Sequence, residues 1–223
     1  MSVCGIDVGS LRTPSAVAWL DGSELEFASY VPSAARPLPK APAGISPSIC
    51  FALDAPQGLP SGDEPRRAAD RAANTPTRVL PQRRDDVASM PAYAAFVEAG
   101  LTIFWEASQR GLAKLDGAAV NGVPTIVETY PRFVIRTLWP DLAIPSKRRE
   151  PRRYVAELWP RIRELELTAA ALPATHDDVD AALCALAARA WAEGAVVRAG
   201  APFVVDAAEG VLREGFIVVP APR

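Results

Sequence analysis

Histidine is almost absent from this chain, with His176 its single example among 223 residues. A catalytic cysteine wants an imidazole partner, so that chemistry has one candidate base at most. Cysteine is scarce as well. Cys4, Cys50 and Cys184 are far apart, each in an apolar stretch, and match no zinc-ligand spacing; they read as small buried hydrophobes. No run approaches the ~20 apolar residues of a membrane span. The N-terminus has no basic region and no signal-peptide core, because Asp7 arrives almost at once, so a cytoplasmic protein is expected. Excess charge of either sign is missing too. A net charge of −2 gives no overall signature of a nucleic-acid binder. No internal repeat is visible.

What is present is an apolar fraction of 49%, enough for a full core in one domain spanning 1–223. Charge is concentrated locally. Lys147-Arg148-Arg149-Glu150-Pro151-Arg152-Arg153 is strongly basic, and Arg66, Arg67, Arg71, Arg78, Arg83 and Arg84 form a looser cluster. Such runs are usually solvated faces. An acidic site that cleaves a polyanion nevertheless needs cations at its rim.

The opening thirty residues predict an antiparallel meander, with strands over Ser2 to Val8, Pro14 to Leu20 and Glu24 to Tyr30, and a hairpin turn at Asp21-Gly22. Residues 32 to 46 are too rich in proline for a regular helix and form a crossover to a strand ending at Asp54. A Pro/Arg-rich loop insertion follows at about 56–91, with a short helix expected near Glu64 to Ala73. Helical periodicity runs from Ala92 to Leu115, weakened in its middle by Gly100. A strand ending at Glu128, a short helix over Pro131 to Leu138 and a helix over Arg152 to Leu167, interrupted near Pro160, come next. His176 to Gly194 is the clearest helix, and two short strands near Phe203 to Val205 and Phe216 to Val219 close the chain. Together these predict an α/β fold, a mixed sheet with helices on both faces and a short C-terminal β extension.

Five acids stand where strands end or a helix begins: Asp7, Asp54, Glu128, Asp177 and Asp180. A carboxylate at the end of a buried strand must reach solvent, a partner or a cation. Crossovers that put the Asp54 strand beside the Asp7 strand, with the Glu128 strand beyond, bring several of them to one sheet edge. Asp177 and Asp180 share a helix face. Complementing the helix dipole accounts for one of Asp177 and Asp178, but not for Asp180, which adjoins the apolar stripe Val179, Leu183 and Leu186. Oxygen-only ligands select Mg²⁺ or Mn²⁺, and two such ions can activate a water and stabilise the leaving oxygen of a phosphodiester. His176 is either a proton shuttle or a cap and donor to a neighbouring carboxylate. Trp139 and Trp159 flank the basic segment, where they either pack the core or stack on bases.

Ordered motifs add a resemblance. Gly5-Ile6-Asp7-Val8-Gly9-Ser10, Leu53-Asp54-Ala55-Pro56-Gln57-Gly58-Leu59-Pro60, Arg66 with Asp70-Arg71, Val127-Glu128-Thr129-Tyr130-Pro131-Arg132, His176-Asp177-Asp178-Val179-Asp180-Ala181 and Glu214-Gly215-Phe216-Ile217 run in order along the chain. In these the chain resembles the DUF429 family of predicted nucleases with an RNase H-like fold, more distantly similar to Holliday-junction resolvases. The resemblance implies a five-stranded mixed sheet, with metal held by Asp7, Asp54 and Asp180, and with Asp177 and Glu128 in catalytic support. Glu128 is either a further ligand or the holder of a basic residue. Arg66, Arg71, Tyr130, Arg132 and His176 are implied at a nucleic-acid rim. The stretch 32 to 46 departs from the family pattern, which crosses there through a helix. Two rivals remain: a non-catalytic binding module, and an actin-like nucleotide phosphotransferase suggested by the Asp7-Val8-Gly9-Ser10 turn. The phosphotransferase reading needs two such domains and a second glycine-rich phosphate loop, and the chain is too short and shows no such loop.

Overall fold

The computed structural model describes residues 1–75, 79–169 and 171–222; Arg78 of the predicted basic cluster lies outside them. The expected meander forms from β1 (Ser2–Asp7), β2 (Ser15–Asp21) and β3 (Glu24–Tyr30), each antiparallel to the next. Residues 31–49 make no helix. Leu38, Ala41 and Ile45 of this stretch cover the apolar sheet face that a crossover helix would have covered. β4 (Cys50–Asp54) then lies parallel to β1, and β5 (Thr125–Glu128) parallel to β4.

The sheet has eight strands rather than five. β6 (Thr168–Ala169) adds to the outer edge of β3, and β7 (Val196–Asp206) and β8 (Val211–Pro220) extend the other edge, giving the order β6-β3-β2-β1-β4-β5-β8-β7. The C-terminal strands are therefore a long hairpin inside the sheet and not a short appendage. Alternation along β7, where exposed and half-buried residues mix, hides its length from an apolar-run reading.

Helices cover both faces. On one side α2 (Ala94–Gln109) packs on Cys4, Ile6, Phe51, Leu53 and Ile126. On the other, α3 (Pro131–Leu138), α4 (Pro151–Arg163) and α5 (His176–Ala192) pack on Val3, Leu20, Ala52 and Val127. α1 (Ala68–Ala72) sits in the 56–91 insertion against β7 and β8. The predicted interruption at Pro160 does not occur; α4 continues through it. A mid-helix proline costs ~3 kcal/mol. Tyr154, Leu158, Trp159 and Ile162 are buried on that helix, and each buried side chain of this size recovers about 1.5–3 kcal/mol. Trp159 thus belongs to the core, against Phe27 at 5.9 Å between ring centroids, and is not available to bases. All three cysteines are buried and unpaired, as the sequence reading expects. Among the described residues no helix is long and apolar enough to cross a membrane.

Two glycines set the distances that matter most. A Cβ on Gly5 would lie 2.1 Å from both the Ala181 carbonyl oxygen and the Ala185 nitrogen, so α5 rests directly on the backbone of β1. A Cβ on Gly100 would lie 2.8 Å from the Pro56 carbonyl oxygen. The residue that weakens α2 as a helix lets it close on the turn after Asp54. Gly5→Ala is expected to force α5 away from β1 and cost about 2–3 kcal/mol, the upper part of the overpacking range, in urea unfolding. A variant as stable as the parent would mean that the helix can shift freely.

Candidate metal centre at the carboxyl edge of the sheet

Asp7 and Asp54 end adjacent parallel strands and are paired in register. Side chains alternate along a strand, so their position is fixed by their neighbours. Ile6 and Leu53 face α2, which turns Asp7 and Asp54 toward the α5 side. Asp180 meets them from the start of α5. There Thr175 and Asp178 form a reciprocal cap: the Asp178 amide donates to Thr175 Oγ1, and the Thr175 amide donates to Asp178 Oδ2 at 2.9 Å. Asp178 thereby serves the helix terminus. Asp180 is left free of that duty and is 1% exposed. One carboxylate oxygen from each of Asp7, Asp54 and Asp180 lies within 4.8 Å of the others.

The structure adds a residue that sequence reasoning did not single out. Lys147, in the segment between α3 and α4, turns its ammonium into this cluster, where it ion-pairs with Asp180 and lies 3.9 Å from Asp7 Oδ2. The only signal was one lysine at the head of a run of arginines. Tyr154 of α4 donates its hydroxyl to Asp180 Oδ1 at 2.5 Å. Burial raises the Asp7 carboxyl well above its ordinary range; Lys147 draws it down, while Asp180, Asp54 and Asp177 push it up. Asp180 is also raised by burial, against the opposing pull of Lys147 and Tyr154. Burial alone would lower the Lys147 pKa, but the charges of Asp180, Asp7 and Asp54 reverse this and hold it above its usual value.

The other predicted residues separate into two groups. Asp177, Tyr130 and Arg132 line the same cleft as the cluster, a space of about 420 Å³ also lined by Leu80, Met90, Tyr93 and Phe96. His176 stands just outside it, its Nδ1 2.6 Å from Asp177 Oδ1 but not aligned for a hydrogen bond. Glu128, Arg66 and Arg71 do not line this cleft.

Glu128 pairs in register with Leu53, not with Asp54. That one-residue stagger turns it to the α2 face of the sheet, away from the three aspartates. There it receives two hydrogen bonds from Arg67, at 2.6 and 2.7 Å, and one from the Gln57 amide at 2.7 Å. Arg67 also holds Asp70 at 2.8 and 3.1 Å. Arg67, Asp70 and Glu128 are each 0% exposed. The basic partner of Glu128 is therefore Arg67, a neighbour of the predicted Arg66. Arg66 braces the insertion by donating to the carbonyls of Asp70 and Thr75, and Arg71 pairs with Glu64 at the surface.

Fold and centre define a class: an α/β protein with a mixed sheet and an acidic cluster where two parallel strands end. Within that class, a family model described as "Protein of unknown function (DUF429)" matches residues 5–203. The chain belongs to that family. No curated protein and no solved structure matches it.

Proposed function

We propose that this protein is a divalent-metal-dependent phosphodiesterase acting on nucleic acid, built on an RNase H-like fold. The observation that carries the activity is the convergence of Asp7, Asp54 and Asp180 within 4.8 Å beside a cleft. The central strand order β3-β2-β1-β4-β5, antiparallel and then parallel, supports the RNase H-like reading; β6, β8 and β7 are edge additions.

The donor set fits the ion. Three carboxylates and no nitrogen or sulfur ligand favour Mg²⁺ or Mn²⁺, and the three aspartates would hold it. When bound, the ion supplies an activated water and positive charge against the phosphate oxygens. The chain's own residues provide the rest. Arg132 and Lys147 bring positive charge to a polyanion that the net charge of −2 would not attract. Tyr93, Phe96 and Met90 offer an apolar wall to a base. Three unpaired buried cysteines suit a reducing, cytoplasmic setting.

The test is cleavage of labelled single-stranded, duplex and branched oligonucleotides with Mn²⁺ or Mg²⁺, against a chelated control. No cleavage of any of them would remove the reading. Lys147 favours one competitor, a non-catalytic module in which the ammonium merely neutralises buried carboxylates. That alternative requires Mn²⁺ not to bind, or to bind as well after Asp7 and Asp54 are replaced.

Arg132 is exposed at the start of α3 and lines the cleft. Arg132→Ala is expected to weaken oligonucleotide binding and reduce the slope of log affinity against log salt by about one, as for one phosphate contact. Mn²⁺ affinity should not change. An unaltered salt slope would exclude Arg132 from the phosphate path.

A further inference from the structure

The cluster already contains a cation of the chain's own. The Lys147 ammonium sits on the side of the cluster between Asp180 and Asp7, ion-paired with the first and 3.9 Å from an oxygen of the second. Tyr154 engages the other oxygen of Asp180. The Asp180 carboxylate is thus held from both ends by groups of the chain. Asp7 and Asp54, in register on neighbouring strands, form the opposite side.

We infer that the centre takes a single divalent ion, held by Asp7, Asp54 and Asp180, and that the Lys147 ammonium fills the position a second ion would occupy between Asp7 and Asp180. This rests on the metal-dependent reading above and deepens it. Paired ions in two-metal sites stand about 3.5–4 Å apart, so both would have to share the space spanned by these three carboxylates. One of the two places is the place of the ammonium.

The charges agree. Three carboxylates carry three negative charges, and one divalent ion with one ammonium carries three positive ones. Two divalent ions and the ammonium would carry five, and Asp177 at the cleft wall supplies only one more negative charge. Expelling Lys147 instead would remove the cationic partner of Asp180, which is 1% exposed. Lys147 is itself partly accessible, with 30% of its side chain exposed, so its charge borders the cleft where a phosphate would lie.

The experiment is a Mn²⁺ titration by calorimetry on the full chain, with electron paramagnetic resonance of the bound ion. The parent is expected to bind one ion and give the spectrum of an isolated Mn²⁺. Lys147→Met is expected to bind two and show spin coupling between them, while Lys147→Arg keeps one. Two ions on the parent, or one on Lys147→Met, would overturn the inference and leave the metal-dependent reading standing. Binding to Lys147→Met but not to the parent would also overturn it, since one place should be open with the lysine present. No binding to either protein would remove the metal-dependent reading itself. Should Lys147→Met fail to fold, the stoichiometry of the parent still decides.

Discussion

Asp7→Asn is expected to lower Mn²⁺-dependent oligonucleotide cleavage by at least about 100-fold, because loss of a direct ligand should exceed the 10–100-fold cost of losing a ligand's own support. It should do so without unfolding the protein. Asp7 is 12% exposed, and burial together with Asp180, Asp54 and Asp177 holds its proton more tightly than in the unfolded chain, against the opposing pull of Lys147. A carboxyl raised in this way favours the fold below its unfolded pKa, and that contribution is lost as pH rises through the folded value. At neutral pH the charge that Asp7 must bear on ionising therefore works against the metal-free fold. Asn carries no such charge. With metal chelated, Asp7→Asn should melt at or above the parent's temperature near pH 7.5, and its advantage should shrink as the pH falls toward the ordinary carboxylate range. Mn²⁺ affinity of the parent should weaken over the same descent, because protons compete for ligands whose pKa is raised. Cleavage at the parent's rate by Asp7→Asn would remove Asp7 from the centre. A large fall in melting temperature would make it a structural partner of Lys147 instead.

The parts of this fold that were legible are those where local chemistry and tertiary demand agree. β1, β4 and β5 are short apolar runs buried on both faces, and each ends at an acid because the sheet edge begins there. Pro131 at the first position of α3 and the Thr175–Asp178 cap of α5 fix those helices from within their own sequences. What escaped was decided between segments. Glu128 shares its setting in sequence with Asp7 and Asp54; only the register of β5 on β4 reveals that it faces the other way. Arg66, Arg67 and Arg71 are equivalent as letters. Only the docking of the insertion on β5 and β8 makes Arg67 the buried one. Lys147 belonged to a solvated basic run until the path from α3 to α4 turned it inward, while Arg148 and Arg149 stayed exposed.

The largest stability effect is expected at Arg67. Its guanidinium lies between two carboxylates, bidentate to Glu128 and to Asp70, with all three side chains sealed from solvent. Arg67→Met leaves both acids buried without their cation, and removing one partner of a buried pair costs about 3–5 kcal/mol. At about 2–4 °C per kcal/mol for a chain of this size, the melting temperature should fall on the order of 10 °C. Glu128→Gln should cost less. Arg67 then keeps Asp70, and the Gln57 amide still meets an oxygen at the same position. Arg71→Ala, which removes a surface pair with a side chain 48% exposed, should stay within about 0.5 kcal/mol. The order of the three separates an interior ion network from a basic surface cluster, and scanning calorimetry reads it directly. Mn²⁺ binding by Glu128→Gln decides the remaining point. Glu128 points away from the aspartates and is held by Arg67, so the variant should bind the ion as the parent does while melting earlier. Lost Mn²⁺ binding at an unchanged melting temperature would return Glu128 to the ligand set and contradict the register of β5.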